Sequence, residues 1–477
     1  MEPEQNMTDT KNKGERTGLA VRIWRSIFRG PILPKDDRDR KKIVFDTLIL
    51  HFRPIRVREE TIRYSHTWGL GGSSFVLFLV LLSTGVLLMF AYEPSPGGAY
   101  ESLVSLQTDV FFGKLIRNIH HWSANFLIVF LVLHLLRVYF TGAYHPPRQF
   151  NWLIGLSLLG CVLLSNFTGY LLPWDQLSYW AATIVTGMIG YVPVVGGWLQ
   201  GVIRGGDDIS GSTLIIFYAA HTTVIPVFIL ALCAFHFWRV RKARGVVVPR
   251  SPNDGGTIRL TGSDTEKPRY VLTLPHLILR EFSVAMALIA FVMIVALFFD
   301  AGLGDPANPG MSPNPAKAPW YFVGFQELLL HFDPLFAVLL IPLLATMGLM
   351  LIPYMKYDCD TSGIFLMSHA GRRLGLTAAV LGAVVTILWV ILDEFIVDFG
   401  AWMPGVPPVV ANGLVPTVIL FALLAGLFRW FKTRDGASNN EAIQALFVLL
   451  ATGFAVLTMI GVWFRGTGMA LVWPLNL

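Results

Sequence analysis

Residues 118–139 read NIHHWSANFLIVFLVLHLLRVY. The run is apolar enough to sit inside a bilayer, yet it carries imidazoles at His120 and His134, fourteen residues apart. Residues 217–242, FYAAHTTVIPVFILALCAFHFWRVRK, repeat the pattern with His221 and His236, fifteen apart. At 100° per residue, offsets of fourteen and fifteen return to within roughly −40° and +60° of the starting face, so each helix turns both imidazoles to one side. Along the axis each pair is separated by about 21–22 Å. An ionisable group at membrane depth is costly, and four of them in matched pairs mark function.

Two such helices facing each other can clamp two planar metal groups, one near each membrane face. If both helices run in the same direction, His120 pairs with His221 and His134 with His236. Two imidazoles leave iron no open position, so a haem held this way carries electrons and does not bind substrate. Glycine repeats the interval: Gly71 and Gly85 are fourteen apart, as are Gly155 and Gly169. A residue without Cβ lets a flat macrocycle edge approach the backbone. Arg117 and Arg137 each stand three residues from a candidate ligand, on its helix face, where a guanidinium can neutralise a propionate.

Composition agrees with a membrane setting. Of 477 residues, 54% are apolar and 14% charged, too few charges to coat a soluble globule of this size. Runs of about 20 apolar residues are long enough to span ~30 Å of hydrocarbon. Nine are expected, near 72–92, 118–141, 151–172, 212–238, 276–299, 334–355, 374–397, 412–430 and 441–463, making an all-α polytopic fold whose first four spans form a four-helix bundle around two haems. Residues 24–60 alternate apolar and basic character and are expected to lie along the membrane surface. Residues 1–39 are charged and do not read as a signal peptide.

Lysine and arginine set the orientation. With the N-terminus cytoplasmic, the inside connections hold Arg148, then Arg239, Arg241, Lys242, Arg244, Arg250, Arg259, Lys267 and Arg269, then Lys356, Arg372 and Arg373, then Arg429, Lys432 and Arg434. The outside connections hold Lys114, Arg117, Arg204 and Lys317. The net charge of +6 is therefore read as a topology signal and not as nucleic-acid binding. Two outside connections, 175–211 and 300–333, are long and rich in glycine and proline, and are expected to fold against the helices. Cys161, Cys233 and Cys359 stand far apart and form no zinc set or c-type haem attachment motif. His145, His276 and His369 lie near span ends and are expected at the interface, while His66 and His121 are left out of the ligand set.

The motifs LIRNIHHWSANF, LHLLRVYFTGAY, FTGYLLPWDQLSYWAATIVTG and the histidine pair of the fourth span together resemble the cytochrome b subunit of cytochrome bc quinol-oxidising complexes, over residues 60 to 355 or so. The fifteen-residue interval and Asp175 in PWDQ resemble the photosynthetic b-f branch, with its two pieces fused and extra spans added. The resemblance implies two haems b, His120 with His221 at the outer level and His134 with His236 at the inner. It also implies a quinol pocket between the third span and the 175–211 and 300–333 loops. A Rieske iron–sulfur protein would take one electron there, and the second would cross the membrane through the haems to a quinone at the inner face, with proton translocation. A cytochrome c-type acceptor, a homodimeric complex and a bacterial inner (plasma) membrane complete the expectation. Arg241 and Lys242 are candidates for the inner quinone site, though positive-inside residues explain them equally.

Two departures stand out. The family's outer-site Pro-Glu-Trp-Tyr aligns with Ala318, Pro319, Trp320 and Tyr321, and Pro319 cannot accept a proton. Glu327, just downstream, is the expected substitute, so Trp320, Tyr321, Glu327 and Asp175 make up the candidate catalytic set. Second, Gly69 stands where the b-f branch has a cysteine that anchors an extra haem, so no covalent haem is expected. The chain divides into 1–60 (basic N-terminal segment), 61–245 (haem bundle), 246–400 (with the 300–333 loop) and 401–477 (two further spans, which match nothing in the family). A di-haem anchor of a dehydrogenase or hydrogenase is the alternative, but it needs only four or five spans and no such outer loops. A transporter would show inverted repeats or broken spans, and neither is read here.

Overall fold

The computed structural model describes residues 55–473 apart from 253–257, 261–268, 356, 358–359 and 435. Among the described residues nine helices are long and apolar enough to cross a membrane. They are α1 (Leu70–Met89), α3 (Gly113–Phe140), α4 (Gln149–Leu171), α7 (Gly211–Lys242), α8 (Thr273–Phe298), α10 (Leu335–Tyr354), α11 (His369–Phe395), α12 (Val409–Thr433) and α13 (Asn439–Trp463). All nine expected runs are present. Several helices outrun the apolar stretch that marks them, because a helix continues into the interface where polar side chains such as Lys114 and Arg372 reach water.

The connections at one end are themselves helical. α2 (Ala99–Thr108) follows α1, α5 (Gln176–Ile189) and α6 (Gly196–Arg204) fill the 175–211 connection, and α9 (Trp320–His331) closes the 300–333 connection. Asp175 starts α5: its Oδ1 accepts from Ser178 N at 2.9 Å, and its Oδ2 accepts from Gly304 N at 3.0 Å. One carboxylate thus caps a helix and ties the two long connections together. The opposite end carries the basic connections, and the two ends are called here the loop-rich end and the basic end.

Three spans contain a π turn just before a proline. The turns Ala220–Val224, Leu335–Leu340 and Val409–Leu414 precede Pro226, Pro342 and Pro416. Proline has no N–H for the carbonyl four residues back, and a local switch to wider bonds such as Ile225 N to Ala220 O absorbs the break. In α7 this turn contains His221.

α1 packs along α3, and α4 along α7, with α8 against α3. Their shared core includes Leu77, Phe78, Leu127, Ile128, Leu158 and Ile229. Leu127 lies seven residues from both His120 and His134, so this apolar layer is centred between the histidine levels, about 10 Å from each. At the far end of the chain α13 packs against both α9 and α11.

Some expectations need correcting or fall outside view. Most of the surface-lying stretch 24–60 is outside the described residues, as are Lys356 and Cys359. Its last part, Arg56–Arg58, is a short strand paired antiparallel with Tyr270–Leu272. His145 is not interfacial: it is buried, with Nε2 3.0 Å from Thr361 Oγ1. Burial lowers its pKa. His276 and His369 are exposed at the starts of α8 and α11.

Candidate functional site

Each histidine of the four-helix bundle faces a glycine of the neighbouring helix. A Cβ on Gly85 would lie 3.3 Å from the His120 ring, and one on Gly71 3.0 Å from the His134 ring. A Cβ on Gly169 would lie 2.4 Å from His221, and one on Gly155 3.7 Å from His236. The glycine interval therefore answers the histidine interval, α1 serving α3 and α4 serving α7. Any side chain at three of these four positions would push on an imidazole.

At the loop-rich end His120 and His221 face each other, with ring centroids 6.1 Å apart. A metal–imidazole bond of about 2 Å and about 1.1 Å from nitrogen to ring centre, taken on both sides, give about 6 Å. The separation thus suits one iron between the two rings. The Nδ1 atoms are engaged behind them, His120 with Thr84 Oγ1 at 2.9 Å and His221 with the Ser165 carbonyl at 2.9 Å. Such bonds fix the ring orientation and leave Nε2 as the ligand atom. Among the described residues no three His, Cys, Asp or Glu side chains converge on a metal. Two ligands per level suit a metal that brings its own equatorial nitrogens, as a haem does.

At the basic end His134 and His236 line one cavity with about 730 Å³ of empty volume, shared with Arg137, Arg148, Asn151 and Gly155. Arg137 is held at its rim, Nε donating to the His66 carbonyl at 3.2 Å. His66 Nε2 lies 2.6 Å from the Val247 carbonyl, and burial together with the Arg137 charge pushes its pKa down to about 4. It is a neutral structural histidine. Lys242 lies 5.5 Å over the Trp238 ring at the end of α7, as an interfacial lysine does. Arg117 is differently placed from Arg137: its guanidinium donates to the carbonyls of Ala301 at 2.7 Å and Gly302 at 2.6 Å. It anchors the 300–333 connection to the bundle.

A second cavity, with about 780 Å³ of empty volume, opens between α5, α9 and α10. Its walls include Ala181, Val185 and Met188 on one side and Phe322, Phe325 and Gln326 on the other. Trp320 and Tyr321 are not among its lining residues and turn towards the bundle. Trp320 Nε1 donates to Asn125 Oδ1 at 2.7 Å, and the Tyr321 ring, 4.9 Å from that of Phe322, packs towards the bundle core. Burial raises the Tyr321 pKa and keeps its phenol protonated.

The other two candidates are placed differently from the sequence expectation. Glu327 lies roughly 150° around α9 from the cavity-lining face. It is fully buried, and Arg465 donates to both its oxygens at 3.1 and 3.2 Å. A carboxylate turned away and held this way is not set to take a proton from the cavity. Asp175 has both oxygens committed to backbone N–H groups and is a clasp, not a free acid or base. The pairing of Glu327 with Arg465 spans 138 residues, and no local pattern announces it.

Comparison with known proteins locates these features in a family. The family model described as Cytochrome b/b6/petB matches residues 58–244, which hold all four histidines and all four glycines. Cytochrome b6 of Synechococcus sp. (strain WH7803) is 42% identical over 173 residues, covering 36% of this chain and 79% of that protein. Cytochrome b6 of Tupiella akineta is 44% identical over 173 residues, covering 36% and 80%. The solved structure named "Hyperthermophilic respiratory Complex III" superposes with a TM-score of 0.61 at 21% identity, covering 90% of this chain and 96% of that one, a likeness of fold that extends well past the matched segment. With four imidazoles in two levels, glycines opposite each and relatives matched over most of their length, the chain belongs to the cytochrome b family, a multi-pass membrane family that binds b-type haem.

Proposed function

We propose that the chain is the di-haem cytochrome b subunit of a quinol:cytochrome c (or similar acceptor) reductase in a bacterial inner (plasma) membrane, with its N-terminus cytoplasmic. The observation that carries the reading is the pair of histidine levels beside an apolar cavity at the loop-rich end. His120 and His221 would hold one haem b and His134 and His236 a second, and bound haem supplies one-electron transfer. Gly69 offers no thiol at the position where an extra haem would be anchored, so the reading has two haems and no third.

The chain's own part is positioning. Thr84 and the Ser165 carbonyl orient the loop-rich pair of imidazoles. The layer around Leu127 and Ile128 excludes water between the levels and fixes their separation. Ala181, Val185, Met188, Phe322 and Phe325 make a dry seat for a quinol ring, with Gln326 as its polar element. Tyr321 stands between that seat and the bundle. Arg137 and Arg148 offer positive charge at the rim of the basic-end cavity, where a haem propionate would lie. A Rieske iron–sulfur protein and a cytochrome c-type subunit are the partners this reading requires, in a homodimeric complex that returns electrons to quinone at the basic end and moves protons.

Purification of the complex from membranes, with subunit identification and redox titration of its haem spectrum, tests the proposal. Two b-haem transitions, a Rieske subunit and quinol-driven haem reduction are expected. A single transition, or co-purification with a molybdenum or nickel dehydrogenase in place of the Rieske protein, would overturn it.

A further inference from the structure

The two spans at the end of the chain have no place in the mechanism above, yet the structure ties them to the quinol-site helix through a buried ionic cluster. Arg465, just past α13, is fully buried. Its Nε and Nη2 donate to Glu327, Nη2 at 3.1 Å from Oε2, and its Nη1 donates to Glu394 Oε2 at 2.7 Å and to the Met469 carbonyl at 3.0 Å. One helical turn beyond Glu327, His331 Nδ1 lies 2.6 Å from Asp393 Oδ2 and its Nε2 3.8 Å from Glu327. α9, α11 and the segment after α13 therefore meet at one group of three carboxylates, one arginine and one histidine. A buried charge stripped of its partner is strongly destabilising, so such a cluster tolerates little movement of any member.

The backbones interlock as well. A Cβ on Gly324 of α9 would lie 2.5 Å from Thr458 Oγ1 of α13, and one on Gly461 of α13 would lie 2.7 Å from Val323 Cγ2 and 3.2 Å from Glu327 Cγ. The turn after α13 reaches the same connection: Gly468 N donates to Asn314 Oδ1 at 2.6 Å and Lys317 Nζ to the Val462 carbonyl at 3.1 Å. One face of α9 is thus locked to α13, Phe325 at its flank packs on Phe454 of α13 with ring centroids 4.8 Å apart, and the face turned away from α13, with Phe322 and Gln326, is a wall of the cavity.

We infer that Arg465, with the turn that follows α13, is a positioning element of the proposed quinol cavity: it sets the rotation and depth of α9 from behind. This rests on the reading of that cavity as the quinol site. The last spans are then part of the site's frame.

The test uses the membrane complex with nitroxide labels at Leu177 on α5 and Leu330 on α9, both exposed positions. Arg465→Gln should shift or broaden the interlabel distance and raise the KM for quinol at least tenfold, with a smaller change in kcat and full haem content. The double variant Arg465→Gln with Glu327→Gln, which leaves no fully buried charge unpaired although the more exposed Glu394 loses its partner, should recover part of the loss. Gly324→Ala, which leaves every charge in place, should move the same distance and KM if Arg465→Gln fails to assemble. An unchanged distance together with an unchanged KM in haem-replete Arg465→Gln or Gly324→Ala overturns the inference. Ala181→Phe, which fills the cavity from α5, separates the two ideas. If it leaves quinol oxidation intact, the cavity reading falls, and the label distance alone still decides whether Arg465 positions α9. If it blocks oxidation while the Arg465 variant shifts the distance without changing KM, the link from Arg465 to the site falls.

Discussion

Gly169→Ala should remove one haem, while Gly155→Ala, on the same helix, should remove none. A Cβ at 169 would stand 2.4 Å from His221 Cε1 and 2.8 Å from Nδ1, and ordinary contact begins near 3.4 Å, so the ring must retreat by about 1 Å. That movement takes Nδ1 beyond hydrogen-bond reach of the Ser165 carbonyl, now at 2.9 Å. Overpacking costs about 1–3 kcal/mol and the lost bond about 0.5–1.5 kcal/mol, offset by about 0.5–1 kcal/mol because alanine is the better helix former. The net, roughly 0.5–4 kcal/mol, weakens haem retention at that level by about 2- to 1000-fold. At 155 the new Cβ would sit at 3.7 Å, in ordinary contact, and only the helix gain remains. The assay is the haem-to-protein ratio of the purified complex, with a redox titration to show which transition is lost. Equal haem content in the two variants would refute the argument that these glycines clear space for the imidazoles.

Three other outcomes follow from the same geometry. Thr84→Val removes the oxygen 2.9 Å behind His120 Nδ1 and should weaken haem binding at that level about 10- to 100-fold, read from haem loss on dilution, with the basic-end haem unaffected. Asp175→Ala removes the cap of α5 and the tie to Gly304, at a cost of about 1–2 kcal/mol; it should raise the KM for quinol and leave haem content intact. The third concerns His331, where burial opposes the charged form but the hydrogen bonds to Asp393 and Glu327 outweigh it and raise the pKa above the ordinary 6.5. A raised folded pKa gives stability that is fully present below about 6.5 and is lost as pH rises through the folded value. Amide protection across Leu328–Phe332, corrected for the intrinsic base-catalysed exchange rate, should therefore fall on going from pH 6 to pH 9, and Asp393→Asn should flatten that dependence.

What the sequence disclosed about the site follows from the reach of each signal. The histidine and glycine intervals lie within single helices, where 3.6-residue periodicity turns a spacing into a direction, and all eight residues meet as the periodicity implies. Apolar runs marked the nine spans but not their ends, since a helix passes into the interface with Lys114 or Arg372 on it. α5, α6 and α9 were hidden in connections whose glycines and prolines suggested irregular chain. Asp175 was taken for a catalytic group, although Asp175 followed by Ser178 three residues on is a capping pattern that could have been read locally. The sequence offers Glu327 as a proton carrier, and the structure buries it against Arg465 on the side of α9 away from the cavity. Its direction around α9 depends on Arg465, and contacts that distant leave no trace in a local pattern.

The π turn that contains His221 bears on how such spacings compare between chains. A turn closed five residues back in place of four takes in one more residue, and so delivers the following helix in the register that a chain one residue shorter would reach with α turns alone. Intervals of fourteen and fifteen between the two imidazoles are therefore interchangeable solutions to one geometric demand. Removing Thr223 should straighten the turn and leave His236 facing its cavity. Between related chains, a difference of one residue here is taken up by the backbone beside Pro226 and need not alter what the bundle holds.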